Sequence, residues 1–105
     1  MNTIPSITVT ELAELMHRKS DLCLIDVREP DEHAAASIAG SQLVPLATVP
    51  EQASQWSRDQ AIYLHCKAGG RSARAAQYLS DQGFTQVTNV SGGMDAWQSA
   101  GLPVA

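Results

Sequence analysis

Apolar positions along this chain alternate between two spacings. Short apolar runs stand at 7–9, 22–27 (LCLIDV), 42–44, 61–66 (AIYLHC) and 86–90 (QVTNV). Between them, apolar residues recur at helical spacing. Leu12, Leu15 and Met16 fall at i, i+3 and i+4 and predict a helix over 11–19 with Thr10 as its N-cap. Thr48 and Pro50 open a short helix that runs to Trp56. Residues 72–82 predict a helix that buries Ala75, Ala76 and Leu79 and ends at Gly83. Residues 94–100 predict a last helix, stopped by Gly101 and Pro103. The run at 22–27 is apolar without alternation, as a strand covered on both faces is. The alternation of strands and helices predicts an α/β fold: a mostly parallel sheet of about five strands with helices on both faces. Ligands of such sheets sit beyond the carboxyl ends of the strands. Asp26 and Cys66 each end a strand, so parallel pairing would bring both to one edge.

Composition narrows the class. The 105 residues suffice for one domain over 1–105 and are too few for two. With 44% hydrophobic and 17% charged residues, the chain is not expected to be disordered. No internal repeat or low-complexity segment interrupts it. No apolar run reaches the length of a membrane span, and the N-terminus lacks the basic start and apolar stretch of a signal peptide. The expectation is a cytoplasmic protein without a membrane partner. A net charge of −4 argues against nucleic acid as well. The two cysteines, Cys23 and Cys66, lie far apart and lack CxxC or HxxxH company, so neither a disulfide, a metal site nor a cofactor is expected.

The charge distribution says more than its sum. Three of the seven basic residues, Lys67, Arg71 and Arg74, fall within eight positions with no acid among them. This patch suits a small anionic ligand; a solvated helix face would give the same clustering. Beside it stands Cys66. An ordinary thiol, with a pKa of about 8.5, is only a few per cent thiolate near pH 7. Lowering that value by about two units takes roughly 2.7 kcal/mol of preferential stabilisation of the anion. The loop Cys66-Lys67-Ala68-Gly69-Gly70-Arg71 offers several sources. Gly69 and Gly70 can adopt backbone angles closed to other residues, so that successive N–H groups converge on one point. The helix opening near Ser72 adds free N–H groups and its positive dipole end. Lys67 and Arg71 add full charges.

CKAGGRS resembles the active-site loop of the rhodanese (thiosulfate sulfurtransferase) family. LIDVREPDEH resembles the family's strand-end DVR segment, and ASIAGSQLVPL sits where the family carries a GHIPGA-type stretch. NVSGGMDAWQSAGLPV is similar to its closing GG…W…G-P segment. The resemblance covers roughly residues 9–104, with all segments in order. Ser37 and Ala39 depart from the usual His and Pro, and His33 replaces a usual aromatic, which bears on packing and loop entry more than on chemistry.

The resemblance implies a two-step sulfur transfer. Cys66 thiolate attacks the outer sulfur of a small anionic donor such as thiosulfate, sulfite leaves, and a Cys66 persulfide remains. A thiol acceptor, either a small molecule or a thioredoxin-like protein, or cyanide in an assay, then takes the sulfur. The site residues it implies are Cys66 as nucleophile, with Lys67, Ala68, Gly69, Gly70, Arg71 and Ser72 forming the donor-binding loop. The pair Asp26 and Arg28 is implied as support for that loop. Cysteine phosphatases use C-x5-R, whereas here four residues separate Cys66 from Arg71, which argues against phosphate chemistry. A mercaptopyruvate donor is disfavoured too, since that branch carries an uncharged CGSGVT-like loop. Two other readings share the fold: a sulfur carrier dedicated to a protein partner, and a binding or regulatory module without turnover.

Individual residues carry alternatives. Arg71 either binds the donor or pairs with a nearby carboxylate such as Asp26, and both can hold. Lys67 reads as a solvated rim residue that steers anions, and Arg74 as surface. Asp26 can cap the turn into 29–32. His65 precedes Cys66 on a strand, so its side chain points to the opposite face and not at the thiol. Cys23 reads as core, and Trp56 and Trp97 as core or half-buried anchors.

Overall fold

The computed structural model describes residues 3–105. Its five strands form one sheet, all pairs parallel, in the order β1-β5-β4-β2-β3. They are β1 (Ser6–Ile7), β2 (Leu24–Asp26), β3 (Gln42–Leu43), β4 (Ile62–His65) and β5 (Val87–Val90). Helices α1 (Val9–Arg18), α2 (Pro30–Ala35), α3 (Val49–Ala53), α4 (Gly70–Asp81) and α5 (Gly93–Ser99) connect them, with a 3-10 turn at Leu46–Thr48 before α3.

Alternation along the strands divides the interior in two. Ile62 and Leu64 of β4, and Cys66 just past its end, belong to one core with Ala53 of α3 and Ala75, Ala76 and Leu79 of α4. On the other face Leu24 and Val90 pack with Val9 and Leu12 of α1 and with Met94 and Trp97 of α5. Helices therefore cover both faces, as expected. Each fully buried Leu or Ile here contributes about 1.5–3 kcal/mol. Trp97 is anchored at its polar end as well, its Nε1 donating to Pro103 O at 2.8 Å. Trp56 is half-buried, edge-on to Phe84.

Several element ends differ from the sequence expectation. Helix α1 starts at Val9, with Thr8 as its N-cap in place of Thr10. Thr8 Oγ1 accepts from Glu11 N at 3.1 Å, and Glu11 Oε1 accepts from Thr8 N at 3.0 Å. This reciprocal pair satisfies two helix-start donors where Thr10 could satisfy one, and it shortens β1 to two residues. Residues 29–32, for which only a turn leading into them was expected, open the short helix α2 with Pro30 in its first turn. It buries none of its residues, so no apolar spacing betrayed it. Helix α4 begins at Gly70, not Ser72.

Candidate active site

The parallel register places Asp26 beside His65, at the carboxyl ends of β2 and β4. Val27 N donates to His65 O at 3.0 Å, which keeps the two strand ends level. Asp26 and Cys66 thus share an edge, as expected, but they leave it on opposite faces of the sheet.

Cys66 is 1% exposed and closes the core under α4. The loop turns over its sulfur. Gly69 takes φ +113°, a conformation closed to other residues, and its N–H then points back to Cys66 Sγ at 3.0 Å. Ser72 Oγ lies 3.4 Å from the same sulfur. Gly70 has no such angle, and a side chain there would meet open space, so the expectation of two special glycines holds for Gly69 alone. Burial pushes the Cys66 thiol up, while the Ser72 hydroxyl and the backbone amides of Ser72, Gly69 and Ala68 pull it down. The amides and the hydroxyl prevail, and the net direction is down.

The loop is held from behind by α5. Met94 N donates to Cys66 O at 2.8 Å, and Asp95 N donates to Lys67 O at 2.9 Å. This approach needs Gly93, at φ +52°, because a Cβ there would collide with Cys66 O and stand 2.8 Å from Lys67 O.

Both loop cations are paired. Arg71 meets Glu32 of α2 end-on, Nη1 to Oε1 at 2.7 Å and Nη2 to Oε2 at 2.9 Å. The expected partner, Asp26, is taken by other groups on the far face. Arg71 holds the Glu32 carboxyl down to about 2, and Glu32 raises the Arg71 guanidinium above its ordinary value. Lys67 Nζ lies 3.0 Å from Asp95 Oδ1, with the two side chains 63% and 51% exposed, so this pair is weak and screened by salt. Arg74 is exposed.

Asp26 is fully buried. Arg28 meets it through Nε at 3.0 Å and Nη2 at 2.8 Å, and also donates to Ala36 O at 2.6 Å. His33 of α2 places Nδ1 2.8 Å from Asp26 Oδ2. Burial raises the Asp26 carboxyl, but Arg28 and His33 reverse this and bring it to about 2. Asp26 makes no hydrogen bond to the loop among the described residues. It fixes α2 through His33 and Arg28, and α2 presents Glu32 to Arg71. His65 is fully buried on the Asp26 face, its Nε2 3.9 Å from Asp26 Oδ2 and without a hydrogen-bond partner among the described residues. Burial lowers its pKa, partly opposed by Asp26.

Sequence reasoning missed Glu32, Gly93, Asp95 and Asn89 as neighbours of this loop. Asn89 accepts from Ser72 Oγ at 2.6 Å. The segments DEH and SGGMD contain three of the four, but nothing local in them says what they face.

A sequence profile of the rhodanese-like domain matches residues 8–100. The chain is 33% identical over 93 residues to a protein of Allochromatium vinosum named sulfurtransferase, covering 89% of this chain and 87% of that one. It is 34% identical to the thiosulfate sulfurtransferase GlpE of Pseudoalteromonas translucida, covering 90% and 89% respectively. A rhodanese-related protein of Thermoplasma volcanium superposes with a TM-score of 0.85 at 34% identity, over 96% of this chain and 97% of that one. The loop, the sheet order and these matches agree, and the chain belongs to the rhodanese-like domain family.

Proposed function

We propose that this protein is a sulfurtransferase that passes a sulfane sulfur from thiosulfate or a persulfide donor to a thiol through a Cys66 persulfide. The observation that carries the reading is the convergence of Gly69 N and Ser72 Oγ on a sulfur whose pKa is moved down despite burial. The related proteins named sulfurtransferase support it.

In the first step Cys66 thiolate attacks the outer sulfur of thiosulfate. A new S–S bond forms, the sulfur–sulfur bond of thiosulfate breaks, and sulfite departs with that electron pair. The remaining charge sits on the terminal sulfur of the persulfide. The amides of Ala68, Gly69 and Ser72 suit that anion, as they suit the thiolate before it. In the second step an acceptor thiolate attacks the terminal sulfur, and Cys66 thiolate leaves. Arg71 and Lys67, at the mouth of the loop, meet the donor, and Asp26 and Arg28 act through α2. No described helix is long and apolar enough to cross a membrane.

Intact mass after brief incubation with thiosulfate tests the reading. The wild type should gain one sulfur, about 32 Da, that cyanide or a thiol removes, and Cys66→Ser should gain nothing. An unchanged mass in folded, reduced protein would defeat thiosulfate as donor. A second reading, a carrier loaded by a protein partner, draws on the burial of Cys66 and the pairing of both loop cations. Such a carrier would acquire the same mass only from the partner's persulfide.

A further inference from the structure

Ser72 Oγ owns one proton and has three acceptors near it: Asn89 Oδ1 at 2.6 Å, Gly69 O at 3.2 Å and Cys66 Sγ at 3.4 Å. The shortest contact takes the proton. The hydroxyl then turns a lone pair toward the sulfur. That direction suits a neutral thiol, whose S–H can donate to Ser72 Oγ. It does not suit a thiolate, which only accepts.

For Ser72 to donate to the thiolate, its lone pair must swing toward Asn89. Two oxygen acceptors would then face each other at 2.6 Å. A carboxamide can resolve this, because it carries an acceptor and a donor on one rotating group. Turning about its last side-chain bond replaces Oδ1 by Nδ2–H. The backbone of Asn89 stays in place, paired in register with Leu64 on β4 and Ser6 on β1. No described residue accepts from Nδ2, so the turn breaks no other hydrogen bond between described residues.

We propose that Asn89 is a positioning residue for the Cys66 nucleophile, and that its carboxamide reverses the Asn89–Ser72–Cys66 hydrogen-bond chain when the thiol ionises. In the thiol state the chain runs from S–H to Ser72 Oγ and from Ser72 O–H to Asn89 Oδ1. In the thiolate state it runs from Asn89 Nδ2–H to Ser72 Oγ and from Ser72 O–H to the sulfur. Only the S–H bond breaks, its proton leaves to solvent, and none passes along the chain. The charged and titratable groups around Cys66 are Lys67 and Arg71, paired to Asp95 and Glu32, and His65 with Asp26 on the other face. None of them hydrogen-bonds to Ser72 or Asn89 among the described residues.

The inference rests on Cys66 acting as a thiolate, and its test reads ionisation rather than sulfur transfer, so the two can fail separately. Alkylation rate against pH gives the Cys66 pKa in wild type, Asn89→Asp, Ser72→Ala and the double variant. The aspartate side chain has the same shape but only accepts, which traps the Ser72 proton away from the sulfur. Asn89→Asp should raise the Cys66 pKa by about one unit, a roughly tenfold smaller ionisation constant. The direct charge repulsion between the introduced carboxylate and the thiolate survives removal of Ser72, whereas trapping does not. The Asn89→Asp shift should therefore fall to less than half in the Ser72→Ala background. Equal shifts in both backgrounds, or none in either, would overturn the proposal. Should the Asn89→Asp variant not fold, the Nδ2 amide signals of wild-type Asn89 provide the same decision by nuclear magnetic resonance. They should titrate with the Cys66 inflection and stay constant in Cys66→Ser; constancy in the wild type refutes the reversal.

Discussion

At the scale of single residues, the site is a set of charges already matched. Arg71 has the reach to bind an anion, yet Glu32 holds two of its N–H groups. The anionic donor proposed above would compete with that carboxylate. Glu32→Gln removes the competing charge and keeps the shape, so the KM for thiosulfate should fall by about 3–10-fold, with a smaller change in kcat. The difference should shrink at high ionic strength. Steady-state kinetics with cyanide as acceptor checks this, and a rise in KM would show that the pair matters more for holding the loop. Cys66, Gly69 and the basic residues were legible from the sequence because their chemistry is local: a thiol, a turn and a helix start within seven positions. Glu32 was not, since its partner lies 39 residues away. An Asp26 pairing for Arg71 was the natural guess from strand-end placement, and the alternation of strand faces defeats it.

At the scale of elements, the Cys66 loop depends on α5. The amides of Met94 and Asp95 bind the carbonyls of Cys66 and Lys67, and only a residue without Cβ allows the approach. Gly93→Ala should cost at least about 2 kcal/mol, from a positive φ and overlap with Cys66 O. It should also erase the depression of the Cys66 pKa. Gly70→Ala is the matched comparison: with an ordinary φ and open space, it should leave the thermal midpoint within a few degrees of wild type. Apolar spacing made the long helices readable. It failed at α2, which buries nothing, and at helix starts, where reciprocal caps or a single glycine angle decide the boundary.

At the scale of the whole molecule, the sheet separates two chemistries. The sulfur chemistry occupies the α3 and α4 face, and a buried polar cluster of Asp26, Arg28, His33 and His65 occupies the other. The parallel sheet and its two covered faces followed from unbroken apolar strands; the cluster did not, because a strand-end His looks like any other. Its effect on stability has a definite sign. His65, with its pKa lowered by burial, stays neutral in the folded protein below its ordinary value of 6.5, while the unfolded chain takes up the proton. Stability therefore falls as pH drops below 6.5, by at most about 1.4 kcal/mol per pH unit for one proton. A second loss begins where unfolded Asp26 and Glu32 protonate, near 3.8 and 4.5, and continues toward their folded values of about 2. Urea unfolding between about pH 7 and pH 5 should show the first slope, and His65→Asn should flatten it. An unchanged slope would assign it to another group.

The contact between α5 and the loop also has a consequence in time. Ribosomes build the chain from its N-terminus, so Cys66 is in place before Gly93 has been added. Until Met94 and Asp95 reach the carbonyls of Cys66 and Lys67, the loop lacks the ties that shape it over the sulfur. Those ties form only when α5 docks, so a product stalled or truncated before that helix carries Cys66 in a loop that nothing holds from behind.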